Sequence, residues 1–157
     1  MDRQDRNGAS PAGRVHYSST TLGLARALGW FSLALGAVEL AAPGTVARSL
    51  GARRGGVVAT FGAREVASGI GILASRDPTP WVKARVAGDV LDIAALAAQL
   101  GPGNPRRVGA MVALGAVLGA TALDIYCAAE LDAEKRRGPP PDYSDRVGIR
   151  RPQSLSA

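Results

Sequence analysis

The chain has 157 residues, a length for one domain, and its 19 Lys and Arg against 13 Asp and Glu give a net charge of +6. One Cys, one His and 4% aromatic residues exclude a disulfide scaffold, a Cys/His zinc module and an aromatic platform for nucleic acid. The mean hydropathy of +0.06 averages polar ends with four apolar stretches, so it conceals the solvent the chain is built for.

Residues 1–20 are polar, rich in Gly, Pro and Ser, and without apolar periodicity, which predicts a flexible tail. The run 21–42 is 22 residues long with only Arg26 and Glu39 charged. At a rise of about 1.5 Å per residue, about 20 residues cross a hydrocarbon layer of about 30 Å, so this run suits a spanning helix. It also exceeds the apolar core of a cleaved signal peptide, roughly 7 to 15 residues, and is expected to remain as an anchor. Pro43 and Gly44 stop it.

The second run, 57–74, carries Arg64 and Glu65. The third, 80–100, opens on Pro80 at a first-turn position and is the most charged, with Lys83, Arg85, Asp89 and Asp92. The fourth, 108–131, is the clearest, and the charged, Pro-rich segment 132–157 reads as a second flexible tail. Soluble bundles can also use Ala- and Leu-rich helices, but their surface helices set one apolar stripe against a charged face. These runs are apolar most of the way round. The predicted fold is therefore all-α, a four-transmembrane-helix bundle over residues 21–131 with a tail at each end.

An even number of spans puts both ends of the chain on one side. That side carries Arg3, Arg6 and Arg14, then Arg76, then Lys135, Arg136, Arg137, Arg146, Arg150 and Arg151, against Arg48, Arg53, Arg54, Arg106 and Arg107 on the other. Positive residues favour the cytoplasm, so the expectation is a multi-pass protein of the inner membrane with both termini cytoplasmic.

The charges within the runs carry the functional interest. An unpaired charge at mid-bilayer costs about 2.5 to 3.5 kcal/mol on insertion scales, so these groups should face one another. Arg26, Gly29, Ser32, Gly36 and Glu39 form one helical stripe, and Arg85, Asp89 and Asp92 another. Residue depth suggests two tiers: Arg26, Arg85 and Asp124, with Asp89 between the layers, and Arg64, Asp92 and Glu65 with Glu39. Each Arg is expected to bridge to a carboxylate on a different helix. Gly62 and Gly69, and the GxxxG of Gly115 and Gly119, are read as close-approach positions. The Leu-Asp-Ile echo at 91–93 and 123–125 gives Asp92 and Asp124 comparable places on their helices.

Other motifs carry less. Asp89, Asp92 and Asp124 compete with Arg64 and Arg85 for any hard cation, which needs six or more oxygens, so no metal and no cofactor is expected. His16 stands in the N-terminal tail, leaving no Ser/His/Asp or Cys/His set and no catalytic residue to name. Cys127 reads as a small packing residue. PPPDY, residues 139–143, reads as a semi-rigid spacer that also matches a polyproline recognition pattern, and GARRGG, residues 51–56, lacks the strand, Lys and hydroxyl of a phosphate loop. Lys135, Arg136 and Arg137 would attract anionic headgroups; the same charge without a groove-reading motif gives no case for nucleic acid.

The set GWFSLALGAVELAAP, FGAREVASGIGIL, WVKARVAGDVLDIAAL and ATALDIYCA is similar to a bacterial group of four-helix membrane proteins of unassigned role. Related segments look like the membrane part of proteins labelled cyclase/dehydrase, in which a START-like domain follows. The resemblance covers residues 25–131 and implies an integral membrane protein with Glu39, Arg64, Glu65, Arg85, Asp89, Asp92 and Asp124 at motif positions. The segment after residue 131 is too short and polar for the soluble domain, so the cyclase label is not expected to transfer. The expected role is a structural or accessory module, not an enzyme, partnered by the lipid bilayer and by a soluble or membrane protein, with oligomeric state left open. A transporter or proton relay using the carboxylates, and a membrane enzyme acting on a lipophilic substrate, are the alternatives.

Overall fold

The computed structural model describes residues 17–52 and 54–137. The rest of both predicted tails, residues 1–16 and 138–157, lies outside the described residues, and His16 and PPPDY with them. The described residues form five α-helices: α1 (Ser19–Ala41), α2 (Pro43–Leu50), α3 (Gly55–Ala74), α4 (Thr79–Ala97) and α5 (Arg107–Arg137), with a 3-10 turn at Ala98–Leu100. Three of them, α1, α3 and α5, are long and apolar enough to cross a membrane. The third predicted span, now α4, is not among them: it is 19 residues long but holds Lys83, Arg85, Asp89 and Asp92.

Local chemistry sets the ends. The Ser18 hydroxyl accepts from the Thr21 N–H at 3.1 Å and caps α1. Pro43 cannot supply the N–H that α1 would need to continue, yet its fixed φ suits a new first turn, so it opens α2. This short helix has no counterpart in the hydropathy pattern, which marked only the stop. It ends on Gly51 at φ 77°, and a Cβ there would fall on the Asn104 side chain. That amide donates to Leu50 O at 2.9 Å and Gln99 O at 2.7 Å, and its oxygen accepts from Arg106 N, joining the end of α2 to the turn before α5.

At about 1.5 Å per residue, the 31 residues of α5 reach roughly 46 Å, well beyond a bilayer core. Residues 132–137, expected in the tail, are its last turns. Their charges meet the opposite end of the molecule from Asn104. Glu134 accepts from the Ser18 N–H and the Thr21 hydroxyl, Lys83 pairs with Asp132 at 2.7 Å, and Lys135 with Asp77. The Tyr17 hydroxyl also donates to Asp77. The start of α1, the α3–α4 connection and the end of α5 therefore share one end of the bundle.

Side-chain burial is inverted relative to a water-soluble protein. Arg85 is 1% exposed, Glu65 2% and Asp124 0%, while Trp30 is 65% exposed, Val108 72% and Val112 68%. On α4 the same inversion holds: Val90 and Leu91 point outward and Arg85 and Asp89 inward.

Candidate functional site

Glycine brings the first two long helices together. A Cβ on Gly36 would lie 2.6 Å from Gly62 O, and one on Gly69 2.7 Å from Gly29 O, so the α1 and α3 backbones touch. This contact sets Ser32 on α1 opposite Glu65 on α3, and the Ser32 hydroxyl donates to Glu65 Oε2 at 2.8 Å. Gly115 and Gly119 take no part in such a seam: nothing lies within 4 Å of a Cβ at either, and the α5 GxxxG faces outward.

Arg85 is the centre. Its Nε and Nη2 donate to Asp124 Oδ1 and Oδ2, both at 3.0 Å, a bidentate pair between α4 and α5. Its Nη1 donates to Glu65 Oε2 at 2.6 Å. Arg64 engages the other oxygen of the same carboxylate, Nη2 to Glu65 Oε1 at 2.9 Å, and pairs with Asp92 Oδ2 at 2.5 Å. Its Nη1 donates to Gly88 O at 2.7 Å, and a Cβ on Gly88 would stand 2.6 Å from the Arg64 guanidinium carbon. Phe31 and Phe61 lie beneath the two guanidiniums, Arg85 at 5.9 Å and Arg64 at 5.5 Å from the ring centres.

Of the predicted residues, Arg64, Glu65, Arg85, Asp92 and Asp124 are brought into one network. The two expected tiers are not separate, because Glu65 bonds both arginines. Arg26 stands apart: it is exposed and without an ion pair among the described residues. Two consecutive three-residue steps, from Arg26 to Ser32, fall about 120° short of whole turns, which carries Arg26 off the buried face that Gly29, Ser32 and Gly36 share. Glu39 is half-buried beside the α1–α3 contact, and Asp89 is buried next to Arg85 on α4.

Ser32, the Gly88 carbonyl and the two rings are partners that charge spacing alone did not reveal. Ser32 was legible only as a small member of the α1 stripe. Lys83, counted within a span, belongs instead to the polar end with Asp132. Cys127 is buried in the apolar cluster with Leu28, Val82 and Leu131.

Carboxylates outnumber guanidiniums here. Glu39, Glu65, Asp89, Asp92 and Asp124 face Arg64 and Arg85, and Glu39 Oε2, Asp89 Oδ2 and Asp92 Oδ1 are buried without a hydrogen-bond partner among the described residues. Oxygens of Glu65, Asp89 and Asp92 lie within 4.8 Å of one another, a carboxylate trio different from the sequence-expected Asp89, Asp92 and Asp124. A hard cation there would contend with Arg64 and Arg85 for the Glu65 and Asp92 oxygens they already hold.

Beside the network is a cavity of about 600 Å³ lined by α1, α3, α4 and α5, with the end of α2 at one extremity. Its charged residues are Glu39, Glu65, Arg85, Asp89 and Asp92, with Arg54 near the α2 end; most of the remaining surface is Phe, Val, Leu and Ala. Comparison of the chain with family models, with characterised proteins and with solved structures finds no match.

Proposed function

We propose that the chain is a four-span integral membrane protein of the inner membrane, with both termini cytoplasmic, whose ion network locks the helices into a small scaffold for a protein or lipid partner. The observation that carries this reading is the inverted burial, above all on α4. That helix is the most charged of the four predicted spans, yet Arg85, Asp89 and Asp92 point inward, Lys83 pairs with Asp132 at the polar end of the bundle, and Val90, at 59% exposed, and Leu91, at 57%, point outward. Pairing lowers the cost of placing α4 in lipid, since Arg85 and Asp92 have counter-ions within the bundle and Asp89 lies buried beside Arg85. Arg26, about 10 Å along α1, reaches the headgroups by extending its long side chain. The basic last turn of α5, Lys135, Arg136 and Arg137, suits an anionic cytoplasmic leaflet.

The scaffold role draws support from connectivity: Ser32, Glu65, Arg85 and Asp124 link one residue from each of the four long helices through direct hydrogen bonds. Buried ion pairs add little net stability over apolar packing, but they fix register and partner choice. The resemblance to four-helix membrane proteins agrees with this reading. The second reading, a transport or relay component, is favoured by the unpartnered oxygens of Asp89 and Asp92.

A charge exchange tests the scaffold. Arg85→Asp alone should abolish recovery of a monodisperse protein from membranes, and Arg85→Asp with Asp124→Arg should restore part of it, measured by carbonate-resistant membrane yield and size-exclusion chromatography. Recovery of the single variant at wild-type yield, or release of the wild-type chain by carbonate, contradicts the proposal.

A further inference from the structure

The cavity has a composition that selects a class of ligand. Its walls are apolar, its volume of about 600 Å³ lies in the range of small-molecule sites, and its charged surface has more carboxylates than guanidiniums. Asp89 is 3% exposed, lines the cavity, and leaves Oδ2 without a hydrogen-bond partner. An unpaired buried carboxylate oxygen is costly, and the cost is relieved by a proton or by a cation donating to it. Arg85 makes no hydrogen bond to Asp89; its three are given to Glu65 and Asp124.

We propose that this cavity binds a lipophilic ammonium ion, with the Asp89 carboxylate as its counter-ion and the apolar wall around its hydrocarbon. The excess of carboxylates disfavours an anionic amphiphile. A divalent metal is disfavoured for a different reason: it requires six or more oxygens, and Arg64, Arg85 and Ser32 already hold both oxygens of Glu65 and one of Asp92. A primary ammonium group has three donors and is satisfied by far fewer acceptors, and carboxylate oxygens of Asp89 and Asp92 lie within 4.8 Å of each other. The cavity also reaches the apolar perimeter of the bundle, because Phe31 and Val57 line it and are 48% and 46% exposed. A hydrophobic amine dissolved in the bilayer therefore meets it without crossing water.

The proposal rests on the four-span reading, and the test separates the two. The full-length protein is reconstituted into phosphatidylcholine nanodiscs, and binding of 1-aminoadamantane is measured by calorimetry against empty discs, with 1-hydroxyadamantane as the neutral isostere. The amine should bind at least tenfold more tightly than the alcohol, and Asp89→Asn should weaken amine binding at least tenfold while leaving the alcohol unchanged. Ala113→Phe, which fills the wall from α5 without touching a charge, should weaken both; it keeps the test decisive if Asp89→Asn loses its helical circular dichroism. Equal binding of amine and alcohol, full amine affinity in Ala113→Phe, or displacement of the amine by millimolar Ca²⁺ overturns the ammonium site. Failure of the wild-type chain to enter nanodiscs overturns the membrane reading and this site with it.

Discussion

Two seams hold the bundle, and they use opposite chemistry. Between α1 and α3 the contact is backbone on backbone, made by Gly29, Gly36, Gly62 and Gly69 with a single polar tie from Ser32 to Glu65. Where α3, α4 and α5 meet, the contact is ionic, with Arg64 and Arg85 gripping carboxylates from three helices. In lipid, apolar side chains gain little by leaving the solvent, so helices associate through close packing and polar ties. The glycine seam supplies proximity. The ionic seam supplies direction, because only one rotation of α4 aims Arg85 at both Glu65 and Asp124.

Breaking the ionic seam has the largest expected effect. Arg85→Met keeps much of the side-chain volume but leaves Asp124 without a counter-ion and Glu65 with Arg64 alone, and should cost about 3–5 kcal/mol. Thermal unfolding in detergent, followed by circular dichroism, reads this directly. The glycine seam should be next. Gly36→Leu drives a side chain into Gly62 O and Val66, at about 1–3 kcal/mol by the same measurement, whereas Gly115→Leu, with nothing near its Cβ, should leave the monomer unchanged.

The smallest effect belongs to the polar end of the bundle, where water screens the charges. Burial raises the Asp77 carboxyl, but hydrogen bonds with Lys135, Thr79 and Tyr17 outweigh it and hold the group well below the ordinary carboxyl value. A depressed folded value means that the stabilisation is complete above the unfolded value, about pH 4, and is lost as pH falls toward the folded one. The stability difference between wild type and Asp77→Asn should therefore be flat above about pH 5 and shrink below about pH 4. A difference that grows on acidification contradicts the assignment.

The long helices were legible because each apolar run is bounded by Pro, Gly or charge. The short helix α2 was not, since eight residues give too little periodicity to separate from a turn. At the site, helical spacing located Arg64, Glu65, Arg85, Asp92 and Asp124, because a buried charge in an apolar run has few places to go. The same spacing misplaced Arg26, where drift over two steps outweighed the stripe. It could not show that Glu65 serves both arginines, since that depends on the rotation of α3 against α4. Nor could it show the cavity, which side chains of α1, α3, α4 and α5 line together.

The central claim is that α4, charges included, crosses the membrane as α1, α3 and α5 do. In a Cys127→Ser background, single cysteines at Arg76, before α4, and at Gly103, after it, can be labelled in intact spheroplasts with a membrane-impermeant maleimide. The account predicts labelling at position 103 and protection at 76 until the membrane is opened. Labelling of both positions from the same side would contradict it.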